Sequence, residues 1–138
     1  DGPYSDEVHK AAFESSAASD IFITGYFPHE SFPELYRNSE ACIFPSVNEG
    51  AGLPILEAMA TGIPVACAKA GALPEVAGNN ALFFDSDNIE EFASCIEKIT
   101  TDEVFRKKIS ESALVWSKRF SWEKCVLETL EIIRSVLK

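Results

Sequence analysis

"NEGAGLPILEAMATG", residues 48–62, is the stretch on which the reading of this chain turns. It sets two carboxylates, Glu49 and Glu57, on either side of a glycine-rich turn that runs into Leu53 and Pro54. Proline favours the first turn of a helix and glycine the position past its end, so a helix is expected from near Pro54 to Gly62. Glu49 then lies in the loop before that helix and Glu57 one turn inside it. Gly50 and Gly52 let the backbone turn and let a ligand approach closely. The free N–H groups of a helix start favour a negative group such as phosphate, which a carboxylate at contact distance would repel. The same carboxylate accepts hydrogen bonds from a pair of hydroxyls. A ligand carrying both phosphate and vicinal diols reconciles the two features, and a nucleotide sugar is such a ligand. Two plainer readings stay open. Acids suit the dipole of a helix's first turn, and a glycine-rich loop can be a turn and nothing more.

Around this segment the chain alternates. "DIFITG" (20–25), "ACIFPS" (41–46), "IPVACA" (63–68) and "ALFFD" (81–85) are short apolar runs bounded by turn residues. Such runs suit strands buried on both faces, as in a parallel sheet. Residues 5–17 are expected to form a helix with Val8, Ala11 and Ala12 inward. Ser31 and Glu34 have the spacing of a capping box, and Pro33 is tolerated in a first turn. Toward the end, Ile89, Phe92, Ala93, Ile96 and Ile99 fall on one helical face, with Asp87 and Glu90 as cap and partner. Phe105, Ile109, Ser112 or Ala113, and Trp116 make a second stripe. Trp122, Val126, Leu130, Ile133 and Leu137 make a third, with Ser121 as its N-cap. All three stripes read as core packing. Strand and helix in alternation indicate an α/β class fold: a Rossmann-like three-layer sandwich with a parallel sheet. Ligands in such folds bind outside the carboxyl ends of the strands. "ACIFPS" ends at Ser46, so "VNEGAGLP" occupies that place.

Composition agrees with one globular domain over residues 1–138, ending in a helix at about 121–138. The formal net charge of −10 disfavours a broad nucleic-acid footprint or an anionic membrane surface, but not one small phosphate site. No apolar run approaches the roughly 20 residues a membrane span needs, and "DGPYSDEVHK" carries no signal-peptide pattern. Cys42, Cys67, Cys95 and Cys125 are unevenly spaced, with no Cys-x-x-Cys or Cys-His cluster, and read as free thiols of a reducing compartment. His9 and His29 have no ligand-spaced partner and read as surface or loop residues.

"FPSVNEGAGLPILEAMATGIPV" resembles the donor-binding motif of the retaining GT-B glycosyltransferases of the group 1, or family-4, type. That motif carries two glutamates eight positions apart, matched here by Glu49 and Glu57. Pro45, Ser46, Gly50, Gly52, Leu53, Pro54, Leu56, Ala58, Met59, Ala60, Gly62, Pro64 and Val65 match as well. "DGPY", "ITGYFPHE", "LYRNSEACIFPS", "GALPEVAG", "ALFFD" and "RFSWEKC" extend the likeness along most of the chain. The resemblance implies the C-terminal half of a GT-B fold. It implies that Glu57 holds the ribose hydroxyls, and that Glu49 contacts the transferred sugar as the catalytic-site carboxylate. The backbone amides of Gly50, Ala51, Gly52 and Leu53 are then expected to meet the sugar and diphosphate. Gly25, Tyr26 and Phe27 are expected near the base, and Ala70, Gly71 and Ala72 at the far wall. Ala51 stands where many relatives carry Phe, which leaves the backbone role intact and reshapes the sugar pocket.

The resemblance also implies what is not in this stretch. The family's C-terminal domain opens with a strand and a basic pair that clamps the diphosphate, and an N-terminal domain binds the acceptor. Lys69 is the only basic residue close to the motif in sequence, and reads as a solvated loop lysine. The parent is therefore expected to be a hexosyltransferase that moves a sugar from a nucleotide-sugar donor with retention. It is expected to use no metal and no cofactor besides that donor, and to act on a glycan or a lipid-linked sugar. A non-catalytic binding or assembly module and a nucleotide-sugar epimerase piece are the alternatives. The expected location is cytoplasmic, with a full-length parent that can sit at the inner face of a membrane. The chain alone is expected to be inactive, and to self-associate through the apolar edge left at "DIFITG".

Overall fold

The computed structural model describes residues 5–137. They divide into two compact units, Asp1–Phe32 and Pro33–Lys138, each taken by itself below.

The first unit holds helix α1 (Ser5–Glu14) and two short 3-10 turns, Ala18–Asp20 and His29–Ser31. No residue of α1 is buried; Ala11 is exposed and Val8 is 57% exposed, so the expected inward face of this helix is absent. "DIFITG" is not a strand. Residues 21–25 run as irregular chain, with Phe22 83% exposed. An apolar run becomes a strand only when another strand takes its backbone hydrogen bonds, and none of the described strands pairs with it. Phe27 and His29 pack on Phe32, with ring centroids 5.6 and 5.7 Å apart respectively.

The second unit is the α/β body. Helix α2 (Phe32–Arg37) leads to β1 (Cys42–Phe44), followed by α3 (Leu53–Thr61), β2 (Val65–Ala68), α4 (Leu73–Ala77) and β3 (Leu82–Phe84). Three longer helices follow: α5 (Ile89–Thr101), α6 (Glu103–Ser117) and α7 (Trp122–Val136). The strands form a parallel sheet in the order β1-β2-β3, with Phe44 level with Cys67 and Cys67 level with Phe83. All four residues of the central strand are buried. With a side-chain period of two, this requires cover on both faces of the sheet. α3 packs on β1 and β2, α5 packs on β2 and β3, and α6 lies against both helices. Ile55, Met59, Val65, Leu73, Phe84 and Ile99 are fully or almost fully buried at the centre.

Four local expectations shift. The cap of α5 is Asn88, not Asp87, and its partner is Glu91, not Glu90: the Asn88 side chain accepts from the Glu91 amide at 3.0 Å, while the Glu91 carboxylate accepts from the amide of Asp85 at 2.9 Å. On α5 the inward residues are Phe92, Cys95 and Ile99, while Ala93 is exposed and Ile89 is 75% exposed. Ser31 closes a 3-10 turn rather than a capping box, and the Glu34 carboxylate engages Asn38 and Arg37 instead. The cap of α7 stands as read, with Ser121 Oγ accepting from the Lys124 amide, and the expected stripe on α6 presents Ile109 and Ala113 to the core. The third stripe is not core, because no residue of α7 is buried and Trp122 is 74% exposed.

Candidate functional site

In a parallel sheet, neighbouring strands deliver their following loops to the same edge. β1 ends at Phe44 and β2 at Ala68. The loop 45–52 and the turn 69–72 therefore leave side by side, and they meet at Glu49. The Ala72 amide donates to the Glu49 carbonyl at 3.0 Å. Gly71 has φ +53, and a Cβ built on it would stand 2.6 Å from that carbonyl oxygen. Only glycine fits there, for reasons of both space and handedness. The Glu49 side chain is held from the other side, where Ser46 Oγ donates to Glu49 Oε1 at 3.0 Å.

Helix α3 then begins. Gly52 is its N-cap residue, buried and left-handed at φ +60, and no side chain caps the helix. Pro54 has no N–H to offer, and the Ile55 amide is used on the Gly52 carbonyl at 3.1 Å. Gly62 ends the helix, its amide donating to Met59 at 3.0 Å. The helix spans Leu53–Thr61, as its sequence signals predict.

Glu57 is half-buried one turn into α3. It opens on a groove of about 600 Å³, whose walls include Ala51 and Leu53 at the helix start and Phe120 and Trp122 at the approach to α7. Ala51, Leu53 and Glu57 thus share one concavity. Glu49, Gly50 and Gly52 are not in its lining; they form the adjoining loop, and a Cβ on Gly50 would meet nothing within 4 Å. Tyr36 of α2 lies near enough to Glu57 to feel its charge. Burial pushes its phenol up to about 12, with smaller contributions from Cys42 and Glu57.

The remaining site residues are placed as follows. Gly25 is left-handed at φ +62, Tyr26 is 92% exposed, and Phe27 packs on Phe32; all three belong to the first unit. Lys69 is exposed, its amide bonded to the Phe84 carbonyl at 2.8 Å. Sequence reasoning missed Ser46 as a partner of Glu49 and missed an Asp-Ser-Asp run, Asp85 to Asp87, with the spacing of a metal-binding pair. Asp85 uses its carboxylate to accept the Asp87 amide at 3.0 Å. Among the described residues no group of three His, Cys, Asp or Glu side chains gathers there or elsewhere.

Residues 1–116 match the family described as "Glycosyl transferases group 1". The chain belongs to the group 1 glycosyl transferases. It is 39% identical over 106 residues to the "O-antigen chain mannosyltransferase B" of Escherichia coli, covering 77% of this chain and 28% of that protein. A "D-inositol 3-phosphate glycosyltransferase" from a Nocardioides species is 32% identical over 117 residues, covering 81% of this chain and 26% of its own. The chain therefore spans little more than a quarter of the length of these relatives. Among solved structures, sucrose-phosphate synthase from Thermosynechococcus elongatus superposes with a TM-score of 0.85 at 22% identity, over 96% of this chain and 34% of the other. The C-terminal domain of a glycosyl transferase group 1 family protein from Francisella tularensis superposes with a TM-score of 0.69 at 26% identity, over 86% of this chain and 64% of the other. This group 1 domain thus has the Rossmann-like α/β fold of GT-B proteins.

Proposed function

We infer that this domain binds the nucleotide-sugar donor of a glycosyltransferase. The observation that carries the reading is the shared groove: the loop and helix start at Ala51 and Leu53 and the carboxylate of Glu57 line one concavity. Ahead of Pro54 and the bonded Ile55, the Leu53 amide at the uncapped start of α3 can meet a diphosphate, and a carboxylate can meet a ribose diol. One ligand presents both. The adjoining Glu49, fixed by Ser46 and the Gly71 turn, supplies a second carboxylate for the hydroxyls of the transferred sugar.

On this reading the parent protein transfers a hexose with retention and without a metal, to a glycan or lipid-linked acceptor. The mannosyltransferase name of the Escherichia coli relative favours a hexose. The chain alone carries out no transfer, because rate enhancement of this kind depends on an acceptor held against the donor. Calorimetric titration of the chain with uridine, guanosine and adenosine diphosphates and their hexose conjugates, with chelator present, tests the reading. Binding of at least one conjugate is expected. Failure of every one to bind would refute it.

A further inference from the structure

We propose that Ser46 is a positioning residue for the donor sugar, acting through Glu49 and leaving the nucleotide unaffected. The inference rests on the donor-binding reading above and deepens it, by assigning the hydroxyl that holds Glu49 an effect on the sugar and none on the nucleotide. Ser46 follows β1 by two residues, and β1 is held in the sheet with Phe44 level with Cys67. Its hydroxyl is therefore carried at the start of the loop, close to the strand end. It donates to Glu49 Oε1 at 3.0 Å, and both side chains are half-buried.

The main chain of Glu49 is fixed independently. The Ala72 amide holds its carbonyl at 3.0 Å, and Gly71 packs on its backbone with no room for a Cβ. Backbone and carboxylate are thus both held, from two different loops. A free glutamate side chain samples many rotamers, and ordering it on binding weakens affinity. Here Ser46 does that ordering beforehand. It also occupies one lone pair of Oε1 and leaves both of those on Oε2 to accept sugar hydroxyls. A polar pair of this kind supports a binding group from behind. None of these hydrogen bonds involves Glu57, so the expected ribose contact is separate from them.

The test compares affinities of the chain for a nucleotide hexose and for the matching nucleoside diphosphate. Ser46→Ala is expected to weaken the nucleotide hexose roughly three- to tenfold and to leave the nucleoside diphosphate unchanged. In a Glu49→Ala background the same change is expected to do nothing, because its only route of action is gone. Ser46→Thr restores a hydroxyl and Ser46→Cys a weaker donor, so affinity should fall in the order Ser, Thr, Cys, Ala. Equal weakening of both ligands by Ser46→Ala, full additivity with Glu49→Ala, or wild-type hexose affinity in Ser46→Ala would each overturn the proposal. If wild type binds neither ligand, donor binding itself fails. If it binds both equally, the role of Glu49 fails, and this inference with it.

Discussion

Gly71 lies so close to Glu49 that a Cβ on it would stand 2.6 Å from the Glu49 carbonyl oxygen and 3.0 Å from its nitrogen. Two loops from neighbouring parallel strands are locked together at this point, and the lock sets where the first carboxylate of the site stands. Gly71→Ala must both enter the left-handed region and push a backbone aside. It should cost about 2–4 kcal/mol of stability, read from the urea midpoint, and should weaken nucleotide-hexose binding more than nucleoside-diphosphate binding. An unchanged midpoint would show that the turn and the loop move independently.

Trp116 ties α6 to α4. Its indole N–H donates to the Val76 carbonyl at 2.7 Å, Arg119 sits 4.2 Å over its ring, and a Cβ on Gly78 would lie 2.8 Å from its Cζ2. Trp116→Phe keeps most of the apolar contact and strands the carbonyl. A loss of about 1–3 kcal/mol is expected, measured by denaturant unfolding; wild-type stability would contradict the role of this hydrogen bond.

The thiols should sort by burial. Burial pushes Cys42 up from the ordinary 9.0 to about 11 and Cys67 to about 12, the latter with help from Cys42 and Cys95. Cys125 is exposed on α7. At pH 8 a thiol reagent should therefore modify Cys125 rapidly and the other three only on unfolding. Raised folded values mean that the native state keeps these protons while the unfolded chain loses them. Stability should hold below pH 9 and fall as pH rises from there through 11. Rapid native-state labelling of Cys67, or a stability flat across that alkaline window, would contradict the burial account.

Helix α7 presents Trp122, Val126, Leu130 and Ile133 to solvent. An apolar stripe of this kind tends to find cover. Light scattering of the purified chain should show mass rising with concentration, and Trp122→Glu with Val126→Glu should reverse it. A monomer at high concentration would dismiss this expectation.

The fold was legible where local signals and pairing coincide. Pro54 and Gly62 bracket α3, and "IPVACA" is apolar without alternation because β2 is covered on both faces. "DIFITG" also carries a short apolar run, but a strand is a relation between two segments, and composition does not supply the second. The cap of α5 moved by one residue, from Asp87 to Asn88, because both types cap well and Asp85 had already claimed the Asp87 amide. At the site, Glu49, Glu57 and the glycines between them are visible in one line of sequence. The clamp on Glu49 is not, since Gly71 stands far along the chain and is brought there by the parallel register. The stripe on α7 shows the limit of periodicity, which identifies an apolar face and says nothing of what covers it.

On the donor-binding proposal, Glu57 and not Glu49 is expected to meet the ribose. Isothermal titration of a nucleoside diphosphate into wild type, Glu49→Ala and Glu57→Ala distinguishes the two carboxylates. Glu57→Ala should lose roughly 1.5–3 kcal/mol of binding, the size of a charge-assisted hydrogen bond, while Glu49→Ala should bind this sugar-free ligand like wild type. Equal affinity of wild type and Glu57→Ala for the nucleoside diphosphate would contradict the assignment.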